Sequence, residues 1–195
     1  MPQFEINCRN STMKIYLLIF HLILINLNGS TVTADDEPDY KLILDAVTAE
    51  KEDDDVAKIK VELDKSEDLV KISGQAELFV DLDNTWQLKI VLKGAGDSND
   101  EYKDLIALPL LGVCDFMNFY YKIYLYDSLV KYSNAPSPAD CPVVRDTYIL
   151  SEYPLILDKF QKFLHPGFYS VEAILFHEDE EKFKYRIEGR VIEER

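Results

Sequence analysis

Cys114 and Cys141 carry the clearest chemistry in this 195-residue chain. The third cysteine, Cys8, sits in an N-terminal stretch that reads as a removable leader. An even pair left in an exported chain is expected to form a disulfide. Closing the loop between them would contribute roughly 3–4 kcal/mol in the chain-entropy picture. Other reactive groups are scarce. With the leader gone, the remaining histidines are His165, before Pro166-Gly167, and His177, which opens the acidic run Glu178 to Glu181. Both positions are turn-like, so these side chains are expected to be solvated rather than catalytic.

No Gly-x-Ser-x-Gly elbow and no phosphate-cradling glycine loop is present. Among 36 acidic residues, adjacent carboxylates arise by chance and do not argue for acid–base work. Asp53-Asp54-Asp55 and the loop Asp97 to Glu101 could gather oxygens around Ca2+, yet neither follows EF-hand spacing. The sequence therefore predicts no enzyme activity, no metal and no cofactor.

Several segments must position what remains. Lys14 precedes an apolar run from Ile15 to Leu27, followed by small residues ending Val32-Thr33-Ala34. A charged start, an apolar stretch short of the ~20 residues that span a bilayer, and a small-x-small end make a signal peptide. Residues 1–34 are thus expected to be a leader, with Met1 to Thr12 a possible upstream extension of a start at Met13. Residues 35–195 form a single secreted domain without a transmembrane segment. The formal charge of −15 repels nucleic acid and anionic membranes, and neither is expected as a partner.

Strands follow from period-2 alternation. Ile59, Val61 and Leu63 alternate with lysines and Glu62. Val70 to Leu82 reads as one long strand, bulged or bent at Gly74 because glycine inside a strand marks such places. Trp86 to Leu92 is expected to return against it as a hairpin. Leu105 to Leu111 contains Pro109 and is expected to lead into the next element without forming a strand. From Cys114 to Leu129 apolar residues recur at three- and four-residue steps, the pattern of an amphipathic helix over about residues 113–132. Pro136 and Pro138 forbid helix beyond Asn134. Arg145 to Leu150 is a short strand, Leu155 to Leu164 is ambiguous, and Phe168 to His177 with Lys182 to Val191 close the chain as a second hairpin. About seven strands separated by frequent turns predict a mainly β chain, a β-sandwich with one inserted α-helix.

The order Cys114-Asp115-Phe116, an aromatic helix, Ser133-Asn134, Cys141-Pro142, Tyr148, Pro154 and Pro166-Gly167-Phe168-Tyr169 resembles a group of small secreted insect proteins. That group includes the chemosensory B-type proteins, which are similar to the ganglioside activator and the ML lipid-recognition domains. The resemblance covers roughly residues 105–180. It implies an immunoglobulin-like β-sandwich of ML type whose sheets part at one edge to admit an acyl chain. ML domains commonly carry several disulfides, whereas this chain has cysteines for one.

A hydrophobic pocket is expected from Leu78, Val80, Trp86, Leu88, Ile90, Met117, Tyr121, Tyr124, Phe176 and Phe183. Tyrosines suit a pocket mouth because each joins an apolar ring to a polar hydroxyl. The same aromatic stripe also fits ordinary packing of a helix on a sheet. Two functions follow. In one, a secreted protein binds a hydrophobic small molecule such as a lipid or hydrocarbon. In the other, a fully packed acidic module docks an extracellular receptor protein.

Overall fold

The computed structural model describes residues 39–66, 69–98, 100–154 and 164–194. The expected leader, residues 1–34, and all but the last residue of the ambiguous stretch 155–164 lie outside the described residues. In chain order the elements begin with β1 (Asp39–Lys51), β2 (Ala57–Asp64), β3 (Lys71–Leu78), β4 (Trp86–Ala95), β5 (Lys103–Ala107) and β6 (Leu111–Gly112). A helical run follows, and then β7 (Thr147–Pro154), β8 (Gly167–His177) and β9 (Glu180–Glu194). The strands make two antiparallel sheets, a large one ordered β1-β9-β8-β4-β5 with β6 also on β4, and a small one ordered β2-β3-β7. The chain is thus mainly β with one helix, as its alternation predicts.

The β8–β9 hairpin shows how sequence becomes architecture. Its register sets Leu175 opposite Phe183, Ala173 opposite Tyr185 and Val171 opposite Ile187, all apolar pairs on one face. The intervening residues put Ile174 opposite Lys184, Glu172 opposite Arg186 and Ser170 opposite Glu188 on the other. Glu178 and Asp179 turn the chain with φ of 52° and 63°, the mirror-image turn that matches the twist of paired strands.

Three expectations are corrected. β3 and β4 do not form a hairpin: β3 pairs with β2 and β7, whereas β4 pairs with β5, β6 and β8. The chain leaves the small sheet after Leu78, makes an isolated bridge between Leu82 and Val143, and enters the large sheet at Trp86. Alternation specifies which face a residue takes, not which strand lies beside it. Residues 105–111 do contribute strands, because Pro109 falls in the gap between β5 and β6 and removes no ladder hydrogen bond there. The helix differs too. It runs as α1 (Val113–Phe116), π1 (Met117–Leu125) and α2 (Tyr126–Leu129), so its middle holds the wider π register.

The core joins the layers. Ala57, Ile59, Leu78 and Tyr148 from the small sheet, and Trp86, Leu175, Phe183 and Tyr185 from the large sheet, gather around Met117 and Tyr121 of π1. The opposite face of the large sheet carries a charged network beside the buried Val91 and Ile174. Glu172 is buried at its centre, where Lys93 bonds it at 2.7 Å and Arg186 lies at 3.6 Å. Arg186 and Lys184 continue the network to Glu50, and Arg190 pairs with Asp45. Among the described residues the Ser170 hydroxyl and the Arg186 Nε are buried on this face without a hydrogen-bond partner.

This network makes a pH prediction. The Lys93 hydrogen bond outweighs burial and holds the Glu172 carboxyl below its ordinary value of 4.5. A depressed carboxylate contributes stability that is fully present above the unfolded-state pKa and lost as pH falls through the folded one. Thermal midpoints measured from about pH 6 down to 3 are expected to fall more steeply for the wild type than for Glu172→Gln. Parallel acid limbs would show that Glu172 does not couple to folding.

A candidate apolar groove between helix and small sheet

The helical run is held at both ends. Cys114 in α1 is bonded to Cys141, with Cα atoms 5.6 Å apart and a sequence separation of 27. The disulfide expected from the sequence is thus present. Nearby, the Asp115 N–H donates to Asn84 Oδ1 at 3.2 Å, and the Asn118 amide donates to the Cys114 carbonyl at 2.9 Å. Further along, the Tyr121 hydroxyl donates to the Pro136 carbonyl at 2.9 Å and fixes the Pro-rich loop over the helix. Burial first, and then Tyr126 and Tyr148, push the Tyr121 phenol up to about 12, so it remains a donor at physiological pH.

After α2 the chain is sewn onto β7. Asn134 donates to the Thr147 carbonyl at 2.8 Å and accepts from the Ile149 N–H, while Ser133 bridges to Leu150. These bonds cover the outer edge of β7, which would otherwise expose unpaired backbone groups.

Between the helix and the small sheet lies a groove of about 270 Å3. Its floor is one face of the sheet. Ile59 pairs with Ala76, Val61 with Gly74, and Ala76 and Gly74 pair in turn with Tyr148 and Leu150. Tyr121, Leu129, Ala135 and Pro136 overhang it. Small residues at the middle of β3 leave the space. At Gly74 a Cβ would come within 2.5 Å of the Lys60 carbonyl, so only glycine fits. The β3–β7 register shifts between Ile72 and Gly74, but the extra residue lies on β7, between Leu150 and Tyr153, where Glu152 takes a φ of 50°. β3 itself runs past Gly74 in unbroken register with β2, so the bulge expected at the glycine falls on its neighbour.

A second depression of about 580 Å3 adjoins the groove, with Pro136 and Tyr148 as walls common to both. Ala139, Asp140, the Cys141 half of the disulfide, Pro142 and Val144 complete it. Tyr148 donates to the Val144 carbonyl at 2.8 Å. Burial raises the Tyr148 phenol, and Asp146, Asp140 and Asp81 push it further the same way.

The residues expected to line a pocket are distributed differently. Tyr121 borders the groove. Trp86, Met117 and Phe183 are buried in the shared core, and Leu78 and Val80 pack against it. Leu88 and Ile90 lie half-buried on the apolar face of β4, opposite Leu175 and Ala173. Tyr124 stacks on Tyr120 at 6.5 Å. Phe176 alternates to the face away from Leu175 and pairs across the strands with Gln87. Sequence reasoning missed Ile72, Ala76, Leu129 and Leu150. The available signal was the pair of small residues, Gly74 and Ala76, interrupting an otherwise bulky face.

Among the described residues no group of three or more His, Cys, Asp or Glu side chains could hold a metal ion. No helix among them is long and apolar enough to cross a membrane.

Fold and groove together define a two-sheet antiparallel β domain with a disulfide-anchored helix and an apolar recess. Residues 87–171, from β4 into β8, match the family described as Protein of unknown function (DUF1091). No curated protein matches the chain.

Proposed function

We propose that the chain is a secreted, non-enzymatic carrier of a hydrophobic small molecule, a lipid or hydrocarbon, bound in the groove between the helical run and the small sheet. The resemblance to chemosensory B-type and ML lipid-recognition proteins leads to the same reading. The observation that carries it is the lining: Ile59, Val61, Ile72, Ala76, Leu129 and Leu150 present almost no polar surface to a recess of about 270 Å3. Small-molecule sites run to ~300–1,000 Å3, so the groove suits one alkyl chain rather than two. Burying a chain there gains ~0.8 kcal/mol per methylene removed from water.

The test is titration with the neutral fluorophore N-phenylnaphthylamine. Saturable enhancement is expected, together with displacement by dodecanol. Ala76→Phe, which fills the floor of the groove, should weaken binding by about tenfold or more, since ~1.4 kcal/mol suffices for that change. Binding that is absent, or unchanged in a folded Ala76→Phe protein, would remove the groove from the account.

A second reading rests on the charge of −15 and the close packing of Trp86, Met117 and Phe183: an acidic module that docks a basic receptor protein. It predicts association that weakens strongly with salt, which alkyl binding would not.

A further inference from the structure

The groove and the depression beside it differ in one respect that bears on the ligand. The groove walls are apolar, whereas the depression carries Asp140, and Asp146 and Asp81 stand close enough to act on the phenol of Tyr148 between the two. Arg145 faces Asp81 at 3.5 Å and offsets it. Among the described residues no Lys or Arg forms an ion pair with Asp140 or Asp146. Asp140 Oδ2 accepts the Ser137 N–H at 3.1 Å, which leaves acceptor sites on the carboxylate for a ligand's donors. Lys60 belongs to the groove lining, but strand alternation sends its side chain to the face away from Ile59 and Val61.

We propose that the two recesses form one site for a single-chain amphiphile, its tail over Gly74 and Ala76 and an ammonium or hydroxyl head beside Asp140, and that this site discriminates against carboxylate heads. The inference rests on the carrier reading above and adds the head-group class to it. An ammonium gains a charge-assisted hydrogen bond to the carboxylate, and a hydroxyl donates a neutral one. A fatty acid anion offers no donor and brings like charge against Asp140, with Asp146 nearby. The wall common to both recesses, Pro136 and Tyr148, marks where tail gives way to head.

Competition against N-phenylnaphthylamine at neutral pH and low salt tests this, using dodecylamine, dodecanol and dodecanoate below their micelle concentrations. The amine is expected to displace at the lowest concentration, the alcohol next, and the carboxylate about tenfold above the amine, a ratio equivalent to ~1.4 kcal/mol. Asp140→Asn should cut the amine-to-carboxylate ratio about threefold. Asp104→Asn removes an equal charge from the edge strand β5 of the other sheet, and it should leave the ratio unchanged. That control separates the site from the general attraction of an acidic surface for amines. Dodecanoate binding as tightly as dodecylamine, or a ratio identical in wild type and Asp140→Asn, would overturn the head-group assignment and leave the carrier intact. Failure of all three heads to displace the probe would instead overturn the carrier reading, and this inference with it.

Discussion

Trp86→Ala is expected to destabilise the domain by about 3–5 kcal/mol, the range for emptying a large aromatic from a packed core. Trp86 opens β4 where the chain arrives from the small sheet, and its N–H donates to the Asp83 carbonyl at 3.2 Å. The residue is 6 % exposed and lies in the cluster with Val56, Ala57, Leu82, Met117, Val143 and Phe183, which come from both sheets, the helix and the connecting segments. On its outer side His177 stacks at 4.2 Å between ring centroids, with the planes 20° apart. Truncation therefore removes the side chain that the layers share, and nothing adjacent can collapse into so large a space without moving a sheet. Urea denaturation followed by far-ultraviolet circular dichroism should show a lower midpoint at an unchanged slope. Trp86→Phe should recover much of the loss. A midpoint shift equivalent to less than about 1 kcal/mol would mean that the layers are held elsewhere.

Replacing Cys114 and Cys141 together by Ser should cost about 2–5 kcal/mol. The bridge spans a sequence separation of 27 and encloses the helical run from Cys114 onward together with the Pro-rich loop. Without it, the start of the helix is fixed by burial of Val113 and Met117 and by the Asn84 contact, and the loop by Tyr121 on Pro136. A π-helix makes poorer backbone hydrogen bonds than an α-helix and occurs mainly as single turns. A nine-residue π segment such as π1 therefore depends on its anchors. The double Ser variant should lose N-phenylnaphthylamine binding at denaturant concentrations where the sheets are still folded, because helix and loop form the roof of the groove. Simultaneous loss of binding and of β-sheet signal would show instead that the bridge stabilises the domain as one unit.

Much of this fold was legible in the sequence. The β8–β9 hairpin was, because its alternation is sustained and an acidic turn punctuates it. The disulfide was, from the cysteine count and the expected leader, whereas the bulge expected at Gly74 falls on β7 beside it. The register of the helix was not. Met117 and Tyr121 are four residues apart, which satisfies an α and a π stripe alike over so short a run. Strand partners were hidden for another reason. The same pleat that puts Leu78 and Trp86 toward the core is compatible with a hairpin between β3 and β4 or with a crossing from sheet to sheet, and the choice is made by the Leu82–Val143 bridge, 61 residues apart in a numbering that local patterns do not span. The groove was hidden with it. It is a property of where Leu129 and Pro136 come to rest over Ala76, a juxtaposition created by the bridge and the Asn134 bonds to β7.

The pairing of β1 with β9 along nearly their full lengths, from Asp39 opposite Glu194 to Lys51 opposite Lys184, has a consequence for how the chain is built. Contacts so distant in sequence delay folding, since the intervening chain must be ordered before they repay its lost freedom. β1 waits, unpaired, until β9 has emerged from the ribosome. Removing β9 would strand β1 and strip β8 of one neighbour in a single step, so β9 acts as the clasp of the large sheet.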